Sequence, residues 1–331
     1  MVEYYLRIHI NNNTNLLTNQ NSISMKKIIF SVMLLCSSTI GFAQLLDVAS
    51  TEKANLPSGT KAYVAQLSPA GDYLLLSDQN KQGLQKFDLQ TNELSVVTTA
   101  QGSSYDAKIL DGGNKIVYRE TQVGKDRLRK TSLKSIDLAT GKTQTIVKAT
   151  RNLQGVATVG GAVYAVNNGK LSAKSLTKAS VDKSMPVASI NKGQLVVTRN
   201  GKSQVISPNG QSGASYLWPS VSPDGTKVVY YLATRGTYVC NVDGSNPTYV
   251  GMLRSPKWYN NSIVIGMQDS DNGEYVTASK IIASAIDGSE QQVLTDASVI
   301  AMYPSATLSG NKIAFTTPSG EAYIINVEPA K

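Results

Sequence analysis

Residues 216–231 read YLWPSVSPDGTKVVYY. Pro223 fixes φ for a turn, Asp224 can bond nearby backbone, Gly225 accepts positive φ, and the Val- and Tyr-rich flanks suit strands. The stretch is a β-hairpin. If it recurs at a steady spacing, it is one unit of a repeat architecture.

It does recur. YVAQLSPAGDYLLLSD at 63–78, YDAKILDGGNKIVYRE at 105–120, LQGVATVGGAVYAVNN at 153–168, PVASINKGQLVVTRNG at 186–201, SPKWYNNSIVIGMQ at 255–268 and YPSATLSGNKIAFTTP at 303–318 all repeat strand, tight turn and apolar strand. FDLQTNE at 87–93, IDLATGK at 136–142, NVDGSN at 241–246 and IDGSEQ at 286–291 then put Asp88, Asp137, Asp243 and Asp287 at the end of a third strand, and a short fourth strand follows. Alternation in KVVYYL or KIAFTT has the period of a strand, and no segment sustains a helical period.

The N-terminus is of another kind. From Met25 the chain reads MKKIIFSVMLLCSSTIGFAQ, with two lysines, an apolar run and then Gly41-Phe42-Ala43, which puts small residues, Gly41 and Ala43, at the two positions a signal peptidase inspects. Residues 25–43 are therefore expected to be a signal peptide cleaved after Ala43, and residues 1–24 an extension from a start codon called too early. The apolar run is short for a membrane span. This predicts a periplasmic or secreted protein with no transmembrane segment in its mature part. Lipid attachment through Cys36 is disfavoured, because Leu35 stands where a small residue is expected.

What remains, 44–331, holds seven units at about 41 residues each, the length of one propeller blade. The fold expected is all-β: a single β-propeller domain of four-stranded blades, seven of them, with six as the alternative because the units near 153 and 186 are short. The final unit supplies only three strands, and the apolar LLDVAS at 45–50 is expected to complete it and close the ring.

PSVSPDGTKVVYY with the following NVDG resembles the TolB-type, WD40-like (PD40) repeat, whose core reads roughly P-x-x-SPDG before a β run. That resemblance implies a β-propeller exported in Gram-negative bacteria. It leaves function open, since such propellers occur in protein-binding subunits, sugar-degrading lyases and the propeller domains of serine peptidases.

Composition narrows the chemistry. The mature part has 29 basic and 22 acidic residues, an excess spread along the chain apart from KDRLRK at 125–130, which argues against nucleic acid as a partner. Its only thiol is Cys240, at a buried strand position, so no internal disulfide forms. The only histidine, His9, lies in the leader. A Ser-His-Asp triad is thereby excluded, no G-x-S-x-G occurs, and the chain is expected not to be an enzyme and to need no cofactor. Ser189-Ile190-Asn191-Lys192 and Ser309-Gly310-Asn311-Lys312 match S-x-x-K, but they sit in turn signals and K-T-G is absent.

Two groups of residues are candidate sites. Asp269, Asp271 and Glu274 crowd into QDSDNGEY and form a weak calcium candidate, set against the plainer reading of Asn272-Gly273 as a hairpin turn. The recurring Asp88, Asp137, Asp243 and Asp287 are read as turn residues. The mature part carries 14 tyrosines and two tryptophans against two phenylalanines, Phe87 and Phe315. Tyr105, Trp218 and Tyr303 fall just before inner strands, and Trp258 follows Pro256, so these four are candidates for a rim around the central channel. The functional expectation is a non-catalytic, monomeric scaffold that binds an envelope protein or peptide in the periplasm. The alternative is a carbohydrate-binding propeller or a degenerate polysaccharide-degrading enzyme.

Overall fold

The computed structural model describes residues 44–328 except 78–79, 81, 183, 211–213 and 308–309. The expectations about residues 1–43, and about Ser309, lie outside the described residues.

Seven antiparallel sheets follow one another along the chain, each beginning with its inner strand. The inner strands are Val64–Leu67, Lys108–Ile109, Leu153–Val159, Val187–Asn191, Tyr216–Val221, Arg254–Trp258 and Met302–Ala306, and the blades are numbered 1–7 in that order. Each blade packs on the next, and Val64–Leu67 of blade 1 packs against Met302–Ala306 of blade 7. The ring is a seven-bladed β-propeller, which removes the six-bladed alternative.

Local chemistry explains why each unit turns where it does. In blade 5 the Ser222 hydroxyl accepts from the N–H groups of Thr226 (3.2 Å) and Lys227 (3.0 Å), and Gly225 takes φ 74°. Ser68 in blade 1 and Thr307 in blade 7 accept from the equivalent N–H groups. The hydroxyl of SPDG is thus a side-chain stand-in for a turn acceptor. The four recurring aspartates close the turns between third and fourth strands, at the same end of the blades as the SPDG-type turns. Asp88 accepts from Gln90 and Thr91, Asp137 from Ala139 and Thr140, Asp243 from Ser245 and Asp287 from Ser289. These bonds favour the charged form and hold all four carboxyls below the usual range.

Closure runs through the N-terminal strand. Asp47–Lys53 pairs antiparallel with Ala322–Glu328, from Asp47 opposite Glu328 to Lys53 opposite Tyr323. Leu46 is buried among Ile325, Val327, Phe315 and Leu294, and the Gln292 side chain of blade 6 grips its backbone at both N–H (2.8 Å) and C=O (2.7 Å). Blade 7 thus runs Met302–Ala306, Lys312–Thr316, Ala322–Glu328 and then Asp47–Lys53, a circle fastened by its own first strand.

One expectation needs correction. Blades 3 and 4 have three strands each among the described residues, where four were expected. After Lys170–Ser175 the chain reads LTKASVDKSMP before the next inner strand, a polar run without period-2 alternation, and no strand forms there among the described residues.

The core lies between blades. Ile265, Met267 and Ile281 of blade 6 meet Ile313, Phe315 and Ile325 of blade 7, and Leu195, Val197 and Ile206 of blade 4 meet Tyr216, Val228 and Tyr230 of blade 5. Cys240 is buried in the latter cluster, and burial pushes its thiol up to about 12. No helix among the described residues is long and apolar enough to cross a membrane.

Candidate functional site

The register of each blade separates its two ends. Leu217 pairs with Tyr231 and Val221 with Val228, so the start of an inner strand lies at the opposite end from its SPDG-type turn. The hairpins joining second to third strands lie at the starting end. That face gathers the starts of all seven inner strands, and the motif that reveals the fold lies on the other one.

On the starting face the inner strands are bent in a repeated way. Pairing slips between Leu217 and Ser220 in blade 5, between Arg254 and Lys257 in blade 6 and between Met302 and Ser305 in blade 7. Within each slip one residue takes the left-handed conformation: Trp218 at φ 48°, Ser255 at 51° and Tyr303 at 53°. A proline follows each time, tolerated because an inner strand has a free edge toward the channel and needs no N–H there. Asp106 holds the same place in blade 2, at φ 55°. Left-handed backbone at Trp or Tyr costs about 1–2 kcal/mol, and such strain, like a bulge that re-aims a side chain, concentrates at functional surfaces.

Three clusters sit on these bulges. Trp218, 38% exposed, packs at 5.5 Å against Tyr231, and the Arg254 guanidinium lies over its ring at 6.0 Å. Arg254 Nη1 donates to Asp269 Oδ2 at 2.6 Å, with the Asp269 side chain only 2% exposed. In the second cluster the Tyr303 and Tyr63 hydroxyls share a hydrogen bond of 2.8 Å with ring centroids 5.0 Å apart, and burial together with that bond raises the Tyr303 phenol. In the third, the Arg119 guanidinium lies over Tyr105 at 5.5 Å and donates to Gln154 O at 3.1 Å. Asp106 lies between Arg119 at 3.7 Å and Lys108 Nζ at 2.5 Å.

Lys257 feels charges that stand on another side of the ring. It occupies in blade 6 the place Lys108 has in blade 2, and it makes no hydrogen bond or ion pair among the described residues. Burial pushes its ammonium down to about 8, Lys108 adds to the depression, and Asp106 opposes it. Blades 2 and 6 are not neighbours, so these side chains influence one another across the channel. The Lys257 side chain is nevertheless exposed to solvent.

Of the four aromatics expected at the rim, Trp218 and Tyr303 occupy matching bulge positions. Tyr105, 59% exposed, stands one residue earlier, since Asp106 holds the bulge. Trp258 stands elsewhere. Pro256 holds the place of Pro219, so Trp258 lies two residues beyond it, packed among Val229, Val239, Val250 and Val264 between blades 5 and 6, with Nε1 donating to Ser220 O at 3.2 Å. The calcium candidate is also corrected. Asp269 is committed to Arg254, Asp271 accepts from Gly273 in the hairpin turn, and no three acidic, His or Cys side chains gather among the described residues. Sequence reasoning missed Tyr63, Arg119, Arg254, Asp106, Lys108 and Lys257. Arg254 could have been found: it stands two residues before Pro256 on a strand whose hairpin partner carries Asp269.

Two long hairpins rise beside these clusters. Lys115–Val123 with Arg129–Asp137 in blade 2 ends in the basic KDRLRK, and Ile263–Asp271 with Val276–Ala285 in blade 6 ends in the acidic QDSDNGEY. Val123 is 65% and Tyr275 63% exposed at their ends.

Solved structures share this architecture. A putative TolB from Agrobacterium tumefaciens matches with TM-score 0.50 at 15% identity, over 85% of this chain and 91% of that one. The chain has the TolB-like propeller fold. An oligogalacturonate lyase from Vibrio parahaemolyticus matches with TM-score 0.44 at 17% identity, over 83% of this chain and 80% of that one. An oligogalacturonate lyase in complex with manganese gives 0.46 at 15%, over 82% and 78%. Neither a protein-family profile nor a curated protein sequence matches. The likeness extends to the fold alone. The expectation that the chain is not an enzyme is corrected: oligogalacturonate lyases stand among the similar structures, and the absence of histidine among the described residues bears on histidine chemistry rather than on catalysis as such.

Proposed function

We propose that this TolB-like propeller is exported to the periplasm and binds a protein or peptide partner with the face where its inner strands begin. The observation that carries this reading is the set of left-handed bulges, which aim Trp218 and Tyr303 from two blades onto one rim beside the Arg254–Asp269 and Arg119–Asp106 pairs. Aromatic side chains backed by arginine are the residues that dominate binding energy at protein interfaces. The same face also exposes Val123 and Tyr275 at the ends of the two long hairpins. The test is affinity capture from the native envelope fraction run beside a glycan array. A defined protein captured by the wild-type chain and lost by the Trp218→Ala/Tyr303→Ala chain supports the reading. Binding confined to the glycan array, lost in the same variant, assigns the face to carbohydrate instead.

A further inference from the structure

The basic surplus is not spread along the propeller once the blades are known. Residues 151–205, which make up blades 3 and 4, hold eight Lys and Arg against one acidic residue, Asp182. The rest of 44–331 cancels only in sum, 21 basic residues against 21 acidic, with blade 2 basic and blade 6 acidic; blades 3 and 4, the two that lack a fourth strand among the described residues, are the ones nearly devoid of acidic residues.

The outer edge of blade 3 is the strand Lys170–Ser175. Asn168 (φ 51°) and Gly169 (φ 72°) make the two-residue turn that starts it, and Leu176 N–H bonds back to Gly161 O. By alternation along an antiparallel pair, the N–H and C=O groups of Leu171, Ala173 and Ser175 then point outward. No backbone hydrogen bond among the described residues reaches them. Five of the seven blades have a strand at this position. Lys170, Lys174 and Lys178, on or just past the edge, make no ion pair among the described residues.

Lysines on an edge strand deter self-pairing, because a second copy brings the same charges to the same edge. They do not deter an acidic strand. We propose that an extended acidic segment of a partner protein adds to the Lys170–Ser175 edge as the fourth strand of blade 3, its backbone bonding Leu171, Ala173 and Ser175 and its carboxylates meeting Lys170 and Lys174. Main-chain bonds supply affinity in this mode and side chains supply selectivity. The site lies on the outer wall of the ring, away from the channel rim, and stands independently of the reading given above.

The test pans a phage-displayed library of random ten-residue peptides on the full chain and measures the enriched peptide, made synthetically, by calorimetry. Enriched sequences should alternate β-branched residues with Asp or Glu. Ala173→Pro deletes an outward N–H while leaving every internal pair intact, a placement edges tolerate, and it should weaken binding at least tenfold. The surface double variant Lys170→Glu/Lys174→Glu should do the same with an unchanged circular dichroism spectrum, and Trp218→Ala should bind like wild type. Several results overturn the proposal: equal binding by Ala173→Pro, which reduces the edge to a generic polyanion surface; loss in Trp218→Ala; enriched peptides without acidic residues; or wild-type chain that dimerises through this edge.

Discussion

Replacing Leu46 by Ala tests whether the first strand holds the ring shut. The side chain is 4% exposed and packs among Ile325, Val327, Phe315 and Leu294, two blades at once. Truncating a leucine so placed costs about 2–5 kcal/mol, and a position at the start of the propeller that can partly collapse falls toward about 3 kcal/mol. Gln292→Ala removes the two bonds that grip the Leu46 backbone, at about 1 kcal/mol each. The two changes share one anchor, so the double variant should cost less than their sum. Against a total stability of about 5–15 kcal/mol for a domain, either loss is readily seen. Urea denaturation followed by tryptophan fluorescence should show a lower midpoint with the same slope. A midpoint for Leu46→Ala within about 0.5 kcal/mol of wild type would refute the argument that this strand fastens the propeller.

Lys257 and Cys240 give two further tests. With its pKa at about 8 in the folded chain against an ordinary 10.5, Lys257 binds fewer protons folded than unfolded between those values, so its burden on stability is full below pH 8 and is relieved as pH rises. Lys257→Met should flatten the rise in stability between pH 8 and pH 9.5, and an unchanged pH profile would show that the ammonium is solvated like any other. Cys240, held at about 12, should stay unreactive toward a thiol reagent at pH 8 until urea unfolds the chain; rapid labelling of native protein would place it at the surface.

The fold was readable because its signals are local. A serine, a turn-forming Pro-Asp-Gly and a β-branched run report the same hairpin wherever they stand, and the aspartates of the outer turns bond residues only two or three positions away. The two three-stranded blades were visible only as irregular spacing, since the absence of a strand leaves no positive mark. The site was less readable, because its contacts are long-range. Tyr63 meets Tyr303 across 240 positions, and Arg119 meets Gln154 across 35. Trp258 misled because distance from a proline does not fix which way a side chain points; register does, and three residues past the bulge at Ser255 it packs between blades. Asp269 looked like a cation ligand through its neighbours in sequence, whereas Arg254 occupies it from the adjacent strand.

If the partner binds the bulged face, Trp218 and Tyr303 carry its affinity. Calorimetry of the captured partner with Trp218→Ala/Tyr303→Ala, and with Asp224→Ala on the opposite face as control, tests it most directly. The bulge variant should lose about 2 kcal/mol or more while its melting temperature stays near wild type, and the control should bind unchanged. Equal affinity in the bulge variant, or a loss confined to Asp224→Ala, contradicts the account and moves the binding surface away from the channel rim.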